Sequence, residues 1–527
     1  MYYQYPFHDY FDETTGTSGT WDSNTIDRRE SGSLSYLGRA NYSYKNRYLF
    51  TFVFRSDAST KFAPENYWGF FPSVSAAWII SDENFFRSVR AVDFLKMRVS
   101  AGKSGADNTK MWQWLQTFSL QTFKGAMFGT SEDVKYTDGL QMSVSPNREM
   151  KWSDSYKYNL GIDARFLRSR LSASVDMWYV QDKNILSTRS DDWPYSLGTG
   201  IASSNYGDID SWGYEISVGW SDRIGRDFKY SVDMSTAFAD NKIKKWNDPA
   251  VVYPWTTGVK GRSTATGTWG YKVWKGNERG DGILRTDEDF EKYWNYLQAH
   301  ADAYNEYYGV DSAQPNYMGI TSLDDLKKTE GILAYRDLSG KRQEDNSFHR
   351  PDGEVNGTNA DVVQLKKKNA SRNVNTQLRL EWRGISLSTQ IATSWGSYVR
   401  KELTSMKYNA ALQNNYAWWA DMYSREYNPE GSIPSMYYAA DKNYNNHASD
   451  FWQLNSFTMM IRNLTVGYTL PRDISAKVGM GSIRMTFSGT NLWYIVDPYR
   501  SYRSSHNSLT ATYSTLRTWT FGLNLTL

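Results

Sequence analysis

Apolar and polar side chains alternate along many stretches of this chain, and the alternation lasts longer than in ordinary strands. Residues 228–238, 374–382 and 518–527 follow it. In the stretch 171–179 the apolar positions are Leu171, Ala173, Val175, Met177 and Tyr179. A period of two places successive side chains on opposite faces of an extended strand. Each stretch is therefore predicted to be a strand with one apolar face and one polar face.

The pattern predicts about thirteen strands of this kind. They lie at 33–45, 48–57, 67–80, 93–103, 153–166, 169–182, 209–222, 227–242, 372–383, 385–398, 454–470, 482–495 and 515–527. Short turns at 46–47, 167–168, 222–226 and 383–384 alternate with long connections at 104–152, 183–208, 243–371, 399–453 and 496–514. Outer-membrane barrels have this order, with short turns at one rim and large loops at the other.

A soluble array of β-sandwiches is the alternative, because alternation fits any half-buried antiparallel sheet. Strands of 12 or more residues argue against it, since globular strands average about 5–6. The polar faces carry Lys229, Asp233, Arg379 and Glu381, which suits a wet lumen. The sequence therefore predicts an all-β fold, a transmembrane antiparallel β-barrel with long extracellular loops.

The longest connection, 243–371, contains two predicted helices. Residues 286–308 open with an acidic turn and place Phe290, Trp294, Leu297 and Ala301 on one face. Residues 322–329 form a second, shorter helix. This connection is long enough to fold as a small cap over the barrel.

Composition narrows the class of protein further. The 60 basic and 57 acidic residues leave a net charge of +3, which gives no footprint for nucleic acid. Cysteine is absent, so disulfides and thiolate chemistry are excluded. Mean hydropathy is −0.66, yet 16% of the residues are aromatic. Many amphipathic rings in a polar chain favour a membrane barrel, where such rings form belts at the interfaces.

Several motifs resemble the SusC/RagA family of TonB-dependent outer-membrane transporters. The family has a strand ending in R-x-D-x-S-x-x-F, here Arg55, Asp57, Ser59 and Phe62, followed by W-G-x-F-P-S-x-S-A-A-W, here 68–78. Further similar pieces follow in the family's order at 205–220, 331–340, 461–471, 488–493 and 517–525. The resemblance runs from about residue 32 to the end of the chain.

The resemblance implies a barrel of about 22 strands closed by an N-terminal plug. The pattern predicts about thirteen of these strands, and we expect no plug, TonB-binding box or signal peptide within this sequence. Residues 1–32 are then an extracellular loop remnant, and 33–527 are the C-terminal part of the barrel with a large loop insertion at 243–371. We expect a partial gene product, a split-gene half or one piece of a larger assembly, because open strand edges are costly in hydrocarbon.

The resemblance also implies a function. The whole transporter imports an oligosaccharide or a peptide across the outer membrane with a SusD-like surface lipoprotein, driven by the TonB complex acting through the plug. Outer-membrane lipid surrounds the barrel, and no nucleic acid takes part. The alternative is a surface-exposed β-barrel or β-array that binds or adheres without transport. An apolar band free of charge on the outward face favours the barrel.

Catalytic and metal chemistry have little support in the sequence. No serine lies in a G-x-S-x-G elbow, and the acidic runs 287–289 and 324–325 are typical of helix starts. The family often shows D-x-N-x-D-G-x-I, a calcium-like spacing, after its G-D-I-x-Y motif. Here Asp337, Ser339 and Gly340 are separated by an insertion from Asp352, Gly353, Asn356 and Asp361. The split run favours a structural turn, and we predict no catalytic residue, metal or cofactor.

Ligand contacts are expected in the long loops. These loops hold Trp112, Trp114, Trp193, Trp255, Trp269, Trp274, Trp418 and Trp419. Exposed aromatic faces stack on sugars and on apolar peptide side chains alike, while other loop tryptophans serve as anchors or girdle residues. Trp152, Trp178 and Trp220, on or beside strands, are expected in the barrel wall or girdle. No single residue is assigned to the substrate. The chain ends in Leu527, where outer-membrane barrels commonly end in Phe.

Overall fold

The structure, a computed structural model, describes residues 32–86, 88–130, 133–187, 199–249, 252–343, 347–356, 360–366, 372–396, 398–400, 421–435, 444–498 and 516–527. The predicted loop remnant 1–32 and Trp193, Trp418 and Trp419 lie outside these residues, apart from residue 32.

Thirteen strands form one antiparallel sheet in which neighbours in sequence are neighbours in space. They are β1 (Ser33–Tyr44), β2 (Tyr48–Ser59), β3 (Trp68–Ile79), β4 (Val92–Ala106), β5 (Ser153–Phe166), β6 (Leu171–Ser187), β7 (Ser204–Ile224), β8 (Phe228–Lys245), β9 (Arg372–Trp382), β10 (Ile385–Trp395), β11 (Thr458–Thr469), β12 (Ser482–Val496) and β13 (Thr518–Thr526). The predicted number and order of strands are confirmed. Among the described strands, no pairing joins β1 to β13.

Short and long connections alternate as predicted. Several of the tight turns contain left-handed backbone, and the turns at 45–46 and 383–384 are examples. Lys45 and Asn46 have φ of 52° and 53°, and Arg383 and Gly384 have φ of 44° and 86°. Two successive residues with positive φ form the hairpin turn whose twist matches the strands it joins. The links β3–β4 and β11–β12 are longer and carry the short helices Ile80–Asp82, Asn84–Phe86, Arg472–Ser475 and Ala476–Val478.

The register of the sheet separates an apolar face from a polar face. On the apolar face Tyr42 lies opposite Phe50, and Phe50 lies opposite Ala76 on the next strand. The same face continues to the last pair of strands, where Phe487 lies opposite Phe521. The large side chains of this face are exposed, as Phe50 at 45% and Phe521 at 68% show. An exposed apolar face of this size suits contact with lipid.

Aromatic rings border the apolar face at two levels. Tyr36 stacks on Trp68 at one level, and Tyr48 stacks on Trp78 next to Tyr44 at the other. Eight residues separate Tyr36 from Tyr44, which is roughly 26 Å along a strand. This spacing fits the apolar band about 25 Å tall, flanked by aromatic girdles, of an outer-membrane barrel.

Two long connections fold together into a separate module, which we call the cap. It comprises residues 268–366 with 421–435 and 444–452, and its helices are α1 (Asp287–Tyr308) and α2 (Leu323–Lys327). Both helices were predicted, with slightly wider bounds. Short strands inside the cap are Thr268–Gly270 with Val363–Lys366, and Asn316–Tyr317 with Glu354–Val355. Short 3-10 helices lie at Tyr444–Asn446 and Asp450–Trp452.

Other small elements decorate the long connections. A three-stranded sheet joins Thr117–Gln121, Gly139–Ser145 and Gly200–Ile201, and a hairpin joins Met127–Thr130 to Asp133–Tyr136. The strands Tyr398–Arg400 and Gln453–Asn455 pair as a separate two-stranded sheet in the connection between β10 and β11, and Pro64–Asn66 is a 3-10 turn between β2 and β3. Of the helices that the structure describes, none is long and apolar enough to cross a membrane.

Candidate functional site

The polar face of the sheet carries a chain of ion pairs. Arg98 on β4 reaches Asp163 on β5 at 2.8 Å and Asp176 on β6 at 3.0 Å. Ser174 donates a hydrogen bond to Asp163 at 2.9 Å. Gly161 makes room for this arrangement, because a Cβ there would lie 2.7 Å from the Arg98 guanidinium carbon. One guanidinium thereby ties three neighbouring strands together.

Further charges continue along the same face. Arg379 on β9 pairs with Asp233 on β8 at 2.9 Å, and Lys229 pairs with Glu381 at 3.5 Å. An open depression of about 610 Å³ runs beside these pairs and is lined largely by serine, asparagine, glutamine and charged side chains. Partly exposed ion pairs each contribute only about 0–1 kcal/mol. Removing their charges from water would cost more than that, so the face requires water or a polar occupant. This face is suited to polar contents.

The cap has an aromatic core of its own. The side chains of α1 that are at most 1% exposed are Phe290, Tyr293, Leu297 and Ala301. The first three belong to one continuous cluster with Tyr317, Tyr335 and Trp452. Three of the four apolar positions predicted for one face of this helix are therefore core residues, and Trp294 packs against the same cluster at its edge.

Buried tyrosine hydroxyls of the cap donate to main-chain carbonyls. Tyr293 donates to Tyr335 O at 2.7 Å, Tyr335 to Tyr444 O at 3.0 Å and Tyr271 to Asn356 O at 2.9 Å. A buried polar group that keeps a hydrogen bond avoids the desolvation penalty of about 1–3 kcal/mol. The tyrosines thus fill the core and also fix the loop backbone. Burial raises the pKa of Tyr293 well above its usual value, so the hydroxyl stays protonated.

The two long connections are fastened to each other inside the cap. Buried Arg285 forms an ion pair with Asp281 at 2.7 Å and donates to Gly431 O, also at 2.7 Å. Asn445 accepts from Leu333 N at 2.7 Å, across 112 residues of chain. Residues 421–435 and 444–452 are therefore part of the same module as 268–366, which the sequence pattern did not indicate.

The acidic runs lie at helix starts, as predicted. Thr286 caps α1 by accepting from Asp289 N at 3.2 Å, and Asp289 reaches back to the N–H of Thr286. Such a capping box satisfies two helix donors that would otherwise lack a partner. Asp287 and Glu288 are exposed, and Ser322 caps α2 at Asp325 N.

The segment 337–361, split in sequence by an insertion, comes together inside the cap. Asp337, Asp352 and Asp361 are 1%, 6% and 0% exposed. Asp361 accepts from the N–H groups of Leu338 and Ser339 at 2.7 and 3.1 Å. Hydrogen bonds of this kind hold a turn, which agrees with the structural interpretation of the split motif.

Each of two carboxylates in this cluster keeps one oxygen without a partner. Asp337 accepts from Gly353 N at 2.6 Å and contacts His300 Nδ1 at 3.0 Å through the same oxygen, Oδ2. Its Oδ1 and the Oδ2 of Asp361 are buried without a hydrogen bond. Burial raises the pKa of Asp361 to about 8 and that of Asp352 to about 6. In the described ranges, no three His, Cys, Asp or Glu side chains are arranged to hold a metal ion.

The other members of the split motif have structural contacts. Ser339 Oγ donates to Ala360 O. Gly353 has φ of 79°, and a Cβ there would lie 2.7 Å from the Ala301 Cβ of α1, so this position needs glycine. Gly340 is buried, and Asn356 accepts from the Tyr271 hydroxyl through its carbonyl.

The loop tryptophans have several different surroundings. Trp274 is 9% exposed and stacks near Tyr293 in the cap core. Trp255 lies parallel to Tyr253 with centroids 4.9 Å apart and next to Trp269, and all three are half-buried. Trp112 and Trp114 contact each other at 6.1 Å. Trp274 is therefore a core anchor, and the partly exposed rings are the candidates for ligand contact.

Tryptophans near the strands also differ. Trp152 packs on Phe62 and Phe71 and donates to Tyr67 O at 2.9 Å, at the outer end of β5. Trp178 points to the polar side, where a Cβ on Gly213 would meet its ring at 2.5 Å. Trp220 lies on β7 and donates to the Tyr230 hydroxyl at 3.3 Å.

A thirteen-stranded antiparallel sheet with an apolar face, two aromatic levels and an ion-paired polar face defines the wall of a transmembrane β-barrel. No protein-family model matches the chain. The TonB-dependent receptor P3 of Formosa agariphila is 25% identical over 513 residues, which are 94% of this chain and 46% of that receptor. The TonB-dependent receptor SusC of Bacteroides thetaiotaomicron is 28% identical over 222 residues, 40% of this chain and 21% of that protein.

Solved structures agree on the fold. The RagAB peptide importer in its closed-closed state superposes with a TM-score of 0.63 at 16% identity, covering 94% of this chain and 47% of that one. The resemblance to SusC/RagA transporters is confirmed, together with the barrel-type fold and the outer-membrane location predicted from it. The chain spans about half the length of the P3 receptor. These similar proteins are receptors and transporters by name.

Proposed function

We propose that this chain is the C-terminal barrel part of a TonB-dependent transporter that imports an oligosaccharide or a peptide across the outer membrane. Residues 33–527 supply wall and lumen lining, and the insertion 243–371 supplies most of the cap on the extracellular side. The observation that carries the proposal is the sheet itself. Its register places an uncharged aromatic-edged band outside and the Arg98 ion-pair chain inside.

The proposal includes closure of the sheet by further strands. β1 and β13 have no mutual pairing among the described strands, and each unsatisfied main-chain group in hydrocarbon costs several kcal/mol. About nine more strands complete a barrel of about 22. We propose that these strands and a plug come from the same polypeptide or from a second chain, and that the TonB complex acts on the plug.

The proposed partner at the cell surface is a SusD-like lipoprotein. The long connections all leave the same rim of the sheet, so the cap and the other long connections lie on the extracellular side of the barrel. A lipoprotein seated there closes over the ligand before the plug moves. Neither a catalytic residue nor a cofactor is part of this mechanism.

The test begins with the protein in its native membrane. An antibody against the cap, applied to denatured outer-membrane fractions, is expected to reveal a polypeptide of roughly twice 60.8 kDa or a tightly bound second chain. Purification under mild detergent is expected to recover a surface lipoprotein with it. Growth on panels of oligosaccharides and peptides is then compared between wild type, a deletion strain and a strain with inactive TonB. Equal growth of all three on every ligand would contradict import, and ligand binding without uptake would favour the adhesion alternative.

A further inference from the structure

One cavity of the cap is lined by two carboxylates, Asp352 and Glu354, and by one basic side chain, Lys341. It measures about 180 Å³ and lies between the C-terminal half of α1 and the strand pair Asn316–Tyr317 with Glu354–Val355. Its polar lining includes Tyr304, Gln314, Asn316, Lys341, Asp352 and Glu354. A space of this size is smaller than the roughly 300 Å³ of a pocket for a whole drug-sized ligand. It suits one polar head group of a longer molecule.

Asp352 is the side chain that makes this cavity unusual. It is 6% exposed, lines the cavity, and its Oδ1 accepts from Glu354 N at 3.1 Å. Among the described residues it has no ion-pair partner. Burial, together with the nearby charges of Asp337 and Glu354, raises the pKa of Asp352 to about 6. Holding this carboxylate ionised at neutral pH therefore costs free energy that a cation in the cavity would restore.

A metal ion is a poor match for the site. Calcium requires about six to eight oxygen ligands at about 2.3–2.6 Å. No group of three acidic or histidine side chains in the described part of the chain is arranged for that. A primary ammonium group needs only three acceptors and tolerates a wider space. Asp352, Glu354 and the Tyr304 hydroxyl, which also contacts His349 Nδ1 at 2.7 Å, are oxygen acceptors in the lining.

Lys341 adds a second feature of the ligand. Its exposed side chain lines the same cavity and has no ion-pair partner among the described residues. The positive charge of Lys341 repels an ammonium group of the ligand, but it attracts a carbonyl or carboxylate next to that ammonium group. An amine adjacent to a carbonyl is the start of a peptide, whereas an amino sugar has only hydroxyl groups there.

We propose that this cavity recognises a primary ammonium group of the imported ligand, with the N-terminus of a peptide as the occupant that fits best. The inference rests on the proposed import function, because the ligand is what the transporter captures. Asp352 and Glu354 bind the ammonium group, and Lys341 binds the carbonyl that follows it.

Calorimetric titration of the transporter, purified whole in detergent, tests the site with four probes. These are triglycine, N-acetyl-triglycine, glucosamine and N-acetylglucosamine. We expect triglycine to bind at least tenfold more tightly than its acetylated form, and more tightly than glucosamine. Equal binding of free and acetylated triglycine, or no binding of either, would overturn the proposal. Glucosamine binding as tightly as triglycine would retain ammonium recognition and overturn the peptide assignment.

Matched variants separate the cavity from the general charge of the cap. Asp352→Asn keeps the shape of the side chain and is expected to weaken triglycine at least tenfold. Glu306→Gln removes an exposed carboxylate on α1 outside the cavity and is expected to leave binding unchanged. Hydrogen exchange would reveal whether Asp352→Asn disturbs the cap. In that case Glu354→Gln, which changes a more exposed carboxylate of the same cavity, gives the same test. Triglycine binding that survives both variants would sink the assignment.

The same titration distinguishes this inference from the proposed function. Tight binding of triglycine with no TonB-dependent uptake in cells would retain the site and overturn import. Uptake of free and acetylated ligands alike, without preferential binding of the amine, would retain import and overturn the site.

Discussion

The wall and the cap of this protein use aromatic side chains in opposite ways. In the wall, Phe50 and Phe521 remain largely exposed on one face of the sheet, and the charged side chains lie on the other face. In the cap, Phe290 and Trp452 are buried in a closed core, and the charged side chains of α1 other than the capping residue Asp289 lie outside it. The difference teaches that each region is adapted to a different solvent. The wall has lipid outside and a polar lumen inside, whereas the cap folds in water.

Hydrogen bonding differs in the same way. Wall strands satisfy their main chain through ladders that need no side chains, as the unbroken β1–β2 register shows. The cap has only short strands, so its loop carbonyls depend on tyrosine hydroxyls such as that of Tyr335. Removing one ring is therefore expected to harm the cap much more than the wall.

The largest expected effect is from truncating an aromatic core residue. Phe290→Ala in α1 should destabilise the cap by about 3–5 kcal/mol, because it leaves a cavity among buried rings. Hydrogen exchange across 271–356 measures the opening of the cap. Phe50→Ala in the wall is the matched control and should leave exchange unchanged, because its ring contacts lipid. Equal effects at both positions would contradict the comparison.

A charge placed on the apolar face should have the next largest effect. Leu160→Arg on β5 is expected to cost about 2–4 kcal/mol near the bilayer midplane and to lower the amount of assembled protein in outer membranes. Asn159→Arg is one residue away and points to the polar face. It should assemble normally. Heat-modifiable migration of the barrel on gels gives the readout, and similar loss from both variants would argue against a membrane wall.

The pH dependence of the cap depends on Asp361. Burial raises its pKa in the folded state to about 8, above the value of 3.8 expected of an exposed aspartate. At a pH between these two pKa values, the folded cap binds a proton at Asp361 that the unfolded chain does not bind. The stability that this proton contributes is therefore lost as the pH rises from about 4 to 8. Asp361→Asn keeps an oxygen for the N–H groups of Leu338 and Ser339 and removes the charge. It should stabilise the cap by up to roughly 5 kcal/mol at pH 8, since the pKa shift is about four units at about 1.4 kcal/mol per unit.

Hydrogen exchange at pH 5 and pH 8 measures this effect. The gain from Asp361→Asn should shrink at the lower pH. Asp311→Asn, at an exposed position after α1, is the control and should alter neither value. A wild-type cap that is more stable at pH 8 than at pH 5 would refute the assignment.

The smallest expected effect concerns the start of α1. Thr286→Ala removes the hydroxyl that accepts from Asp289 N and should cost about 1 kcal/mol of local stability. Thr286→Ser keeps an accepting hydroxyl and should retain most of it. The exchange rates of the amides in the first turn of α1 measure the difference between the two variants. The exchange rates of a wall strand such as β5 should be the same in both. Faster exchange in β5 would mean that the cap and wall open together.

The sequence by itself determined the wall. Alternation with a period of two is a property of the local sequence. Every wall strand has lipid on one side and a polar lumen on the other, so every strand shows this alternation. The number, the order and most bounds of the thirteen strands were therefore predictable. The capped start of α1 was also local, since Thr286 and Asp289 are three residues apart. The motifs that resemble the SusC/RagA family indicated the class of protein.

Only the tertiary structure decided how the cap is built. Arg285 contacts Gly431, and Asn445 contacts Leu333, across more than 100 residues with no periodic signal between them. The split acidic run likewise gave no sign that Asp337, Asp352 and Asp361 would be buried together, or that Asp352 would line a cavity. These features depend on packing between distant loops. Local patterns report which face a side chain takes, whereas the partner it meets there depends on the fold as a whole.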